Sequence, residues 1–443
     1  MATEETPLLS GALPYKNELI YERFSPAYKK FILAIVAWSV FLTGTFSPSI
    51  PHIARDLNTT GERVGFAVSL SIFATCIGSL VSASYATFYG RRPTYLISLP
   101  LCIIGSIGVS TSRNMYELLL WRFWQCMGAS PGLVVGAAVV GDIYKLEERG
   151  TGMGIFFAGC VLGTTLAPPV GGAVSHFWGW RATQWCMGAL ALAVFVIFFT
   201  AFPETSHPGT RGIDSISGGR KFSFRAVNPL RPLRLLRTPN VIFVSAAGFL
   251  LVLTDYGIYR LFPPSLANDA LKFSWSLLLT LCLNNELLVG VCFLPCGLGN
   301  MIGAPIAGRI SDKIIVKWKK ERGGVWYPED RLRATFFGGL VLVPVSVLGC
   351  GLVTEYIEGH LGLVLNLILL FVNGLGVDIA LGPSAAYIVD IMHSHSAEAM
   401  ACNAGFRSFL LAFGISGVMP LIDTYGMLVT NTISACLAWV GFA

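Results

Sequence analysis

Apolar residues run along this chain in long blocks joined by short polar connections, instead of the narrow stripes of an amphipathic soluble helix. A bilayer core about 30 Å thick needs about 20 apolar residues per helix, because a backbone amide in hydrocarbon finds its partner only within its own helix. Twelve blocks meet that demand: Phe31–Ile50, Val64–Phe88, Thr94–Ser112, Glu117–Gly141, Gly150–Gly172, Thr183–Ala201, Val241–Leu261, Glu286–Gly308, Ala334–Val353, Leu361–Val389, Ala401–Pro420 and Met427–Ala443. The longest polar stretch, Pro203–Pro239, divides six from six. The pattern predicts an all-α polytopic membrane protein of twelve transmembrane helices. Its expected parts are a tail (1–30), a first six-helix bundle (31–202), a central loop (203–239) and a second bundle (240–443). One further apolar segment, Phe273–Leu283, is too short to span unaided; it extends the next helix, lies at the interface or re-enters from one side.

Composition agrees with this pattern. Of 443 residues, 54% are hydrophobic and 13% charged, and mean hydropathy is +0.65. Soluble domains carry about a quarter charged residues, so a soluble enzyme is excluded. The net charge of +6 points to membrane anchoring instead of nucleic acid, because the basic residues collect in alternate connections. Arg91 and Arg92 follow span two, Lys145 and Arg149 follow span four, seven arginines and lysines occupy Pro203–Pro239, and eight follow span eight. Both termini are therefore expected in the cytoplasm. Asn58-Thr59-Thr60, the candidate glycosylation site, then falls in an extracytoplasmic connection. The first 30 residues are polar and acidic, so no cleaved signal peptide is expected. The plasma membrane is the expected location, and the Glu4–Leu9 segment EETPLL leaves a vacuolar or endosomal membrane as the alternative.

Chemistry enters through residues that hydrocarbon should exclude. Ionisable groups inside a membrane are costly and mark cavities, ion pathways or partner contacts. Arg122 in span four, with Gln125 one turn on, is the first candidate for proton coupling; the competing reading is an interhelical clamp. Asp255 in span seven and Asp378 in span ten are the other two, set against simple helix–helix hydrogen bonds. Gln125, Trp38, Phe157, Tyr256, Glu286 and Tyr387 are candidates for lining a substrate cavity. A conformational gate is expected from Gly90, Arg91, Arg92, Asp142, Arg149, Asp312, Glu398, Asn403 and Arg407. The 48 glycines and 23 prolines, dense in Gly159–Gly172 and Gly297–Gly308, suit closely packed, bent helices that alternate between two states. Eleven scattered cysteines and the His393/His395 pair have no metal-ligand frame, so no metal and no cofactor are expected. No GxxxxGK[ST] signature accompanies them.

With those residues in view, the chain resembles a major facilitator superfamily transporter, and within it the fungal twelve-span drug:proton antiporters. Gly90-Arg91-Arg92-Pro93 is similar to the tail of the family signature between spans two and three, although Ala83 and Thr87 stand where its leading glycine and aspartate belong. The second-half copy keeps Gly308 and Asp312. Gly163, Pro168, Gly171 and Gly172 match the span-five antiporter signature, with Ala167 at its central glycine. The resemblance implies two bundles around a central cavity and a proton-coupling role for Arg122. It also implies export of a drug, organic acid or secondary metabolite by alternating access, in exchange for protons. The chain is then not an enzyme; its partners are a small molecule, protons and lipid, with no nucleic acid, and it is expected to act as a monomer. An uptake symporter is the alternative, and a non-transporting sensor the more distant one.

Overall fold

The computed structural model describes residues 21–40, 53, 56–57, 59, 61–207, 211–214, 227–259, 294–357, 359–392 and 395–442. The helices among them are α1 (Pro26–Trp38), α2 (Gly61–Tyr89), α3 (Arg91–Thr111), α4 (Met115–Ala129), α5 (Pro131–Ile143), α6 (Leu146–Trp178) and α7 (Trp180–Ala201). After them come α8 (Pro239–Tyr259), α9 (Leu294–Glu321), α10 (Val343–Tyr356), α11 (Gly359–Ile391) and α12 (Ser396–Phe442). Among the described residues, eight helical stretches are long and apolar enough to cross a bilayer, nine if a bent pair forms one span. The first predicted span is represented by α1, the eighth by α9 and the eleventh by the first part of α12. The short segment Phe273–Leu283 lies outside the described residues.

The breaks between elements follow from local chemistry. The fourth span is split into α4 and α5 by Pro131, which cannot donate to the Met127 carbonyl; the Ser130 hydroxyl donates there instead, at 2.8 Å. Gly78 of α2 packs on this break, where a side chain would strike Met127 and Ser130. Before the seventh span, a 3-10 turn (Arg231–Arg237) meets α8 at 95°. Thr238 between them is extended, as the residue before Pro239 must be. The predicted eleventh and twelfth spans are two helices that meet within α12 at Gly426, whose φ of 80° and ψ of 174° are not helical. Asn114 starts α4 by accepting from the Glu117 amide at 2.9 Å, while its own amide donates to the Glu117 carboxylate at 2.9 Å.

Close approach of backbones sets the packing. Along the contact between α6 and α9, Gly154 faces the Ala304 carbonyl and Gly308 faces the Gly150 carbonyl. Gly299 and Gly303 bring α9 equally close to α11, at Phe371 and Leu375. Without cross-helix hydrophobic drive in lipid, such small-residue contacts are what hold the helices together. The largest hydrophobic core spans both halves: Ile32, Val36, Val139 and Phe156 from the first pack with Tyr387, Val389, Ala397 and Ala401 from the second. This shared core lies at the end of the molecule that carries the basic connections.

A Gly154→Leu variant should therefore lower thermal stability in detergent by about 1–3 kcal/mol, since the obstacle is backbone that cannot move aside. Gly188→Ala, whose added methyl would rest 3.5 Å from the Ser106 Cβ, should leave the melting curve unchanged.

Candidate coupling and gating sites

Two polar assemblies stand out, one inside the first bundle and one on the basic face. The inner one begins with glycines. Gly105 on α3 lies against the Gln125 backbone and Gly128 on α4 against Cys102, so α3 and α4 touch closely enough for polar side chains to meet. Gln125 Nε2 donates to Ser106 Oγ at 2.8 Å and to Gln184 Oε1 on α7 at 3.0 Å. Both amide hydrogens are thus committed, and the amide oxygen turns to Arg122, whose NH1 donates to it at 2.6 Å. Arg122 Nε donates to Ser71 Oγ on α2 at 3.1 Å. Four helices, α2, α3, α4 and α7, converge on one buried guanidinium. Ser71, Ser106 and Gln184 were not singled out from sequence, because neutral polar residues at single positions in apolar helices give no pattern to read.

The outer assembly joins the two halves. Asp390, at the end of α11, accepts from Arg149 NH1 at the start of α6 at 2.7 Å and from Arg331 Nε at 2.6 Å. The Arg331 and Asp390 side chains are 0% exposed and that of Arg149 is 2%. Arg331 stands on a 3-10 turn (Pro328–Ala334) and also reaches Asp312 at 3.2 Å. Asp312 in turn caps α6, accepting from the Gly150 amide at 2.9 Å and from both the amide and hydroxyl of Thr151 at 2.7 Å. The positive end of the α6 dipole favours a carboxylate there. At the solvent edge Lys319 meets Glu147 at 3.0 Å. With these contacts made, the basic face is closed. Arg331 and Asp390 were legible only as a loop charge and as the end of an apolar run.

The first-half side of that face is built differently. Thr87 occupies the position matching Asp312, and its buried hydroxyl makes no hydrogen bond. Gly90, at φ 111°, instead leaves room for Glu204, which accepts from the amides of Arg91 at 2.9 Å and Arg92 at 3.2 Å and so caps α3. Arg91 pairs with Asp142 at 3.0 Å, and Arg92 NH2 donates to the Phe199 carbonyl at 2.7 Å. The three gate candidates on α12 each have a different neighbour. Glu398 lies 3.5 Å from His395 and 3.9 Å from Arg231; Asn403 accepts from Ser245 on α8 at 2.9 Å; Arg407 lies beside Gly248, nearly one turn along α8 from Ser245.

Asp378 is buried on α11 against Gly303 of α9, within electrostatic reach of Cys160 on α6. Asn300, one turn before Gly303, has a buried carbonyl oxygen without a hydrogen bond, a group sequence reading passed over. Tyr387 is packed in the core shared by the halves, Phe157 is half-buried beside Phe156, and Trp38 is 57% exposed on the wall of a groove. Gly163 and Gly171 are buried in α6. Asn58 and Glu286, the side chains of Asp255, Tyr256 and Pro168, and Gly172 lie outside what is described.

The family follows from comparison with known proteins. A model described as Major Facilitator Superfamily matches residues 32–442. The chain belongs to the Major Facilitator Superfamily. It is accordingly a membrane transporter and not an enzyme. It is 27% identical to "Efflux pump radE" of Floropilus chiversii over 438 residues, covering 94% of this chain and 79% of that one. It is 35% identical to "MFS antiporter QDR3" of Candida albicans over 214 residues, 47% of this chain and 29% of the other. Among solved structures it resembles the proton:xylose symporter XylE with a TM-score of 0.70 at 14% identity, covering 95% of each chain. The human organic anion transporter MFSD10 superposes with a TM-score of 0.64 at 17% identity, over 97% of this chain and 99% of that one. Both likenesses speak to the major facilitator fold.

Closure of the basic face carries a pH dependence. Burial pushes the Asp312 carboxyl above its ordinary 3.8, against the lowering effects of Thr151 and Arg331. Burial likewise raises Glu398 above 4.5, against His395 and Arg231. For Glu147 burial also disfavours the charge, but the Lys319 hydrogen bond and charge prevail and hold it lower; its greater exposure screens that effect. In an open face the carboxyls are hydrated and titrate normally, so the closed form binds protons more tightly. Lowering pH through the raised values toward the ordinary ones should populate the closed form, and pH should have no effect well above the raised values. Energy transfer between dyes at positions 148 and 317 should rise on acidification, and the rise should shrink in Asp312→Asn.

Proposed function

We propose that this transporter exports a small organic compound, a drug, organic acid or secondary metabolite, in exchange for protons, by alternating access between two six-helix bundles of a twelve-span fold. The observation that carries the reading is Arg122, a guanidinium buried in span four and fixed by Gln125 and Ser71. A permanently protonated group does not carry the coupling proton, but its field lowers the pKa of a carboxylate that comes near it and releases that proton when the states exchange. Asp378 and Asp255 are the carboxylates assigned to that part. Asp378 is suited to it because it is buried between α9 and α11 and close to α6, where movement of one half against the other changes its surroundings. The names carried by relatives, an efflux pump and an antiporter, support export over uptake.

The assignment extends to orientation. The basic connections support a cytoplasmic position for the closed face and both termini, and the reading takes the plasma membrane as the site of action and the monomer as the working unit. The substrate enters from the closed face once the Asp390 contacts part. It then meets polar groups such as Asn300 and the aromatic residues of the candidate cavity.

Sealed vesicles preloaded with candidate organic compounds should lose the substrate when the outside is made acidic, and should retain it when the gradient is reversed. Accumulation against that gradient would establish the symporter instead. Arg122→Ala should abolish proton-driven exchange while leaving insertion and yield intact, and wild-type exchange in that variant would remove Arg122 from coupling.

A further inference from the structure

A groove of about 940 Å³ opens beside the closed face, where α1 and α6 of the first half meet α9 of the second. Its inner walls are apolar, formed by Leu33, Ala37, Ile155, Leu162 and Met301, and Trp38 stands at its edge. Its mouth at the basic face is rimmed by Lys30, Arg309 and Lys313. These three are exposed and form no ion pair among the described residues. Arg309 and Lys313 are four residues apart on α9 and therefore share one helical face. The acids at the same mouth are largely committed elsewhere: Asp312 to Arg331 and the α6 amides, Glu147 to Lys319, leaving Glu148. The unopposed charge at the mouth is thus positive.

We propose that this groove is a binding site for one anionic diacyl phospholipid, its phosphate held by Lys30, Arg309 and Lys313 and an acyl chain laid along α1 and α6. The match is of two chemistries in the right order along the membrane normal, cations at the headgroup level and hydrocarbon-lined wall beneath. Because the walls belong to different halves, the site is complete only while α6 and α9 are packed together. A bound phospholipid therefore favours the closed basic face, by as much as its affinity differs between the two states.

Native mass spectrometry of the full chain, taken from nanodiscs of phosphatidylcholine containing phosphatidylglycerol, tests the site. Wild type should retain phosphatidylglycerol over phosphatidylcholine, and Lys30→Gln/Arg309→Gln/Lys313→Gln should lose that preference about tenfold. Leu162→Trp, which fills the apolar wall from an exposed position and leaves the charges, should reduce retention of either lipid. Amide exchange at Gly150 and Thr151, whose N–H groups bond Asp312 only when the face is closed, should slow with phosphatidylglycerol in wild type and not in the triple variant. Equal retention of the two lipids by wild type, or unchanged preference in a triple variant that elutes and melts like wild type, would overturn the proposal.

Discussion

Everything on the closed face depends on one carboxylate. Asp390 has no exposed side-chain surface and holds two guanidinium groups, one from each half, at 2.7 and 2.6 Å. Buried ion pairs contribute little net stability, since desolvation offsets the attraction, but breaking one by removing a partner leaves an uncompensated charge at a cost of about 3–5 kcal/mol. Such an assembly therefore chooses between conformations more than it strengthens either. In the closed arrangement Arg149, Arg331, Asp312 and Asp390 each have a charged partner. In an open one the same groups must be rehydrated together, so intermediate positions are disfavoured.

The glycines make that chemistry possible. Asp312 reaches the first turn of α6 because Gly308 and Gly150 allow the two backbones to meet, and Arg122 reaches Gln125 in a network that Gly105 and Gly128 bring within range. In both places a small-residue contact comes first and a polar contact is built on it. Membrane helices gain little from hydrophobic association, and the close backbone approach supplies both dispersion and a dry setting in which hydrogen bonds are strong. The two sides of the face are unequal. Asp312 bridges α9 to the α6 terminus, whereas Thr87 offers no charge to the opposite seam, and Glu398 supplies an acid to α12 from within its own first turn.

The apolar spans that the described residues contain were legible in sequence because lipid imposes their character residue by residue. Arg122 was legible for the same reason: a charge among apolar neighbours announces itself. The partners were not. Gln184 and Ser106 lie 59 and 19 residues from Gln125, and Asp390 lies 241 residues from Arg149. Neither separation has a local signature, and only the packing of α3 on α4 and of α6 beside α11 selects them. Glu398, Asn403 and Arg407 show the opposite limit. Spacing along α12 placed them in order, but each faces a different part of the Arg231–Arg237 turn or α8, so nearness in sequence did not become a shared site.

Asp390 holds the two halves together at the basic face. The direct measurement is the distance distribution between spin labels at the exposed positions Thr200 and Lys317, one in each half, by double electron–electron resonance in nanodiscs, for the wild-type background and for Asp390→Asn. A single short distance in the wild type, with a second, longer population appearing in the variant, is the predicted result. Identical distributions in the two proteins would contradict it.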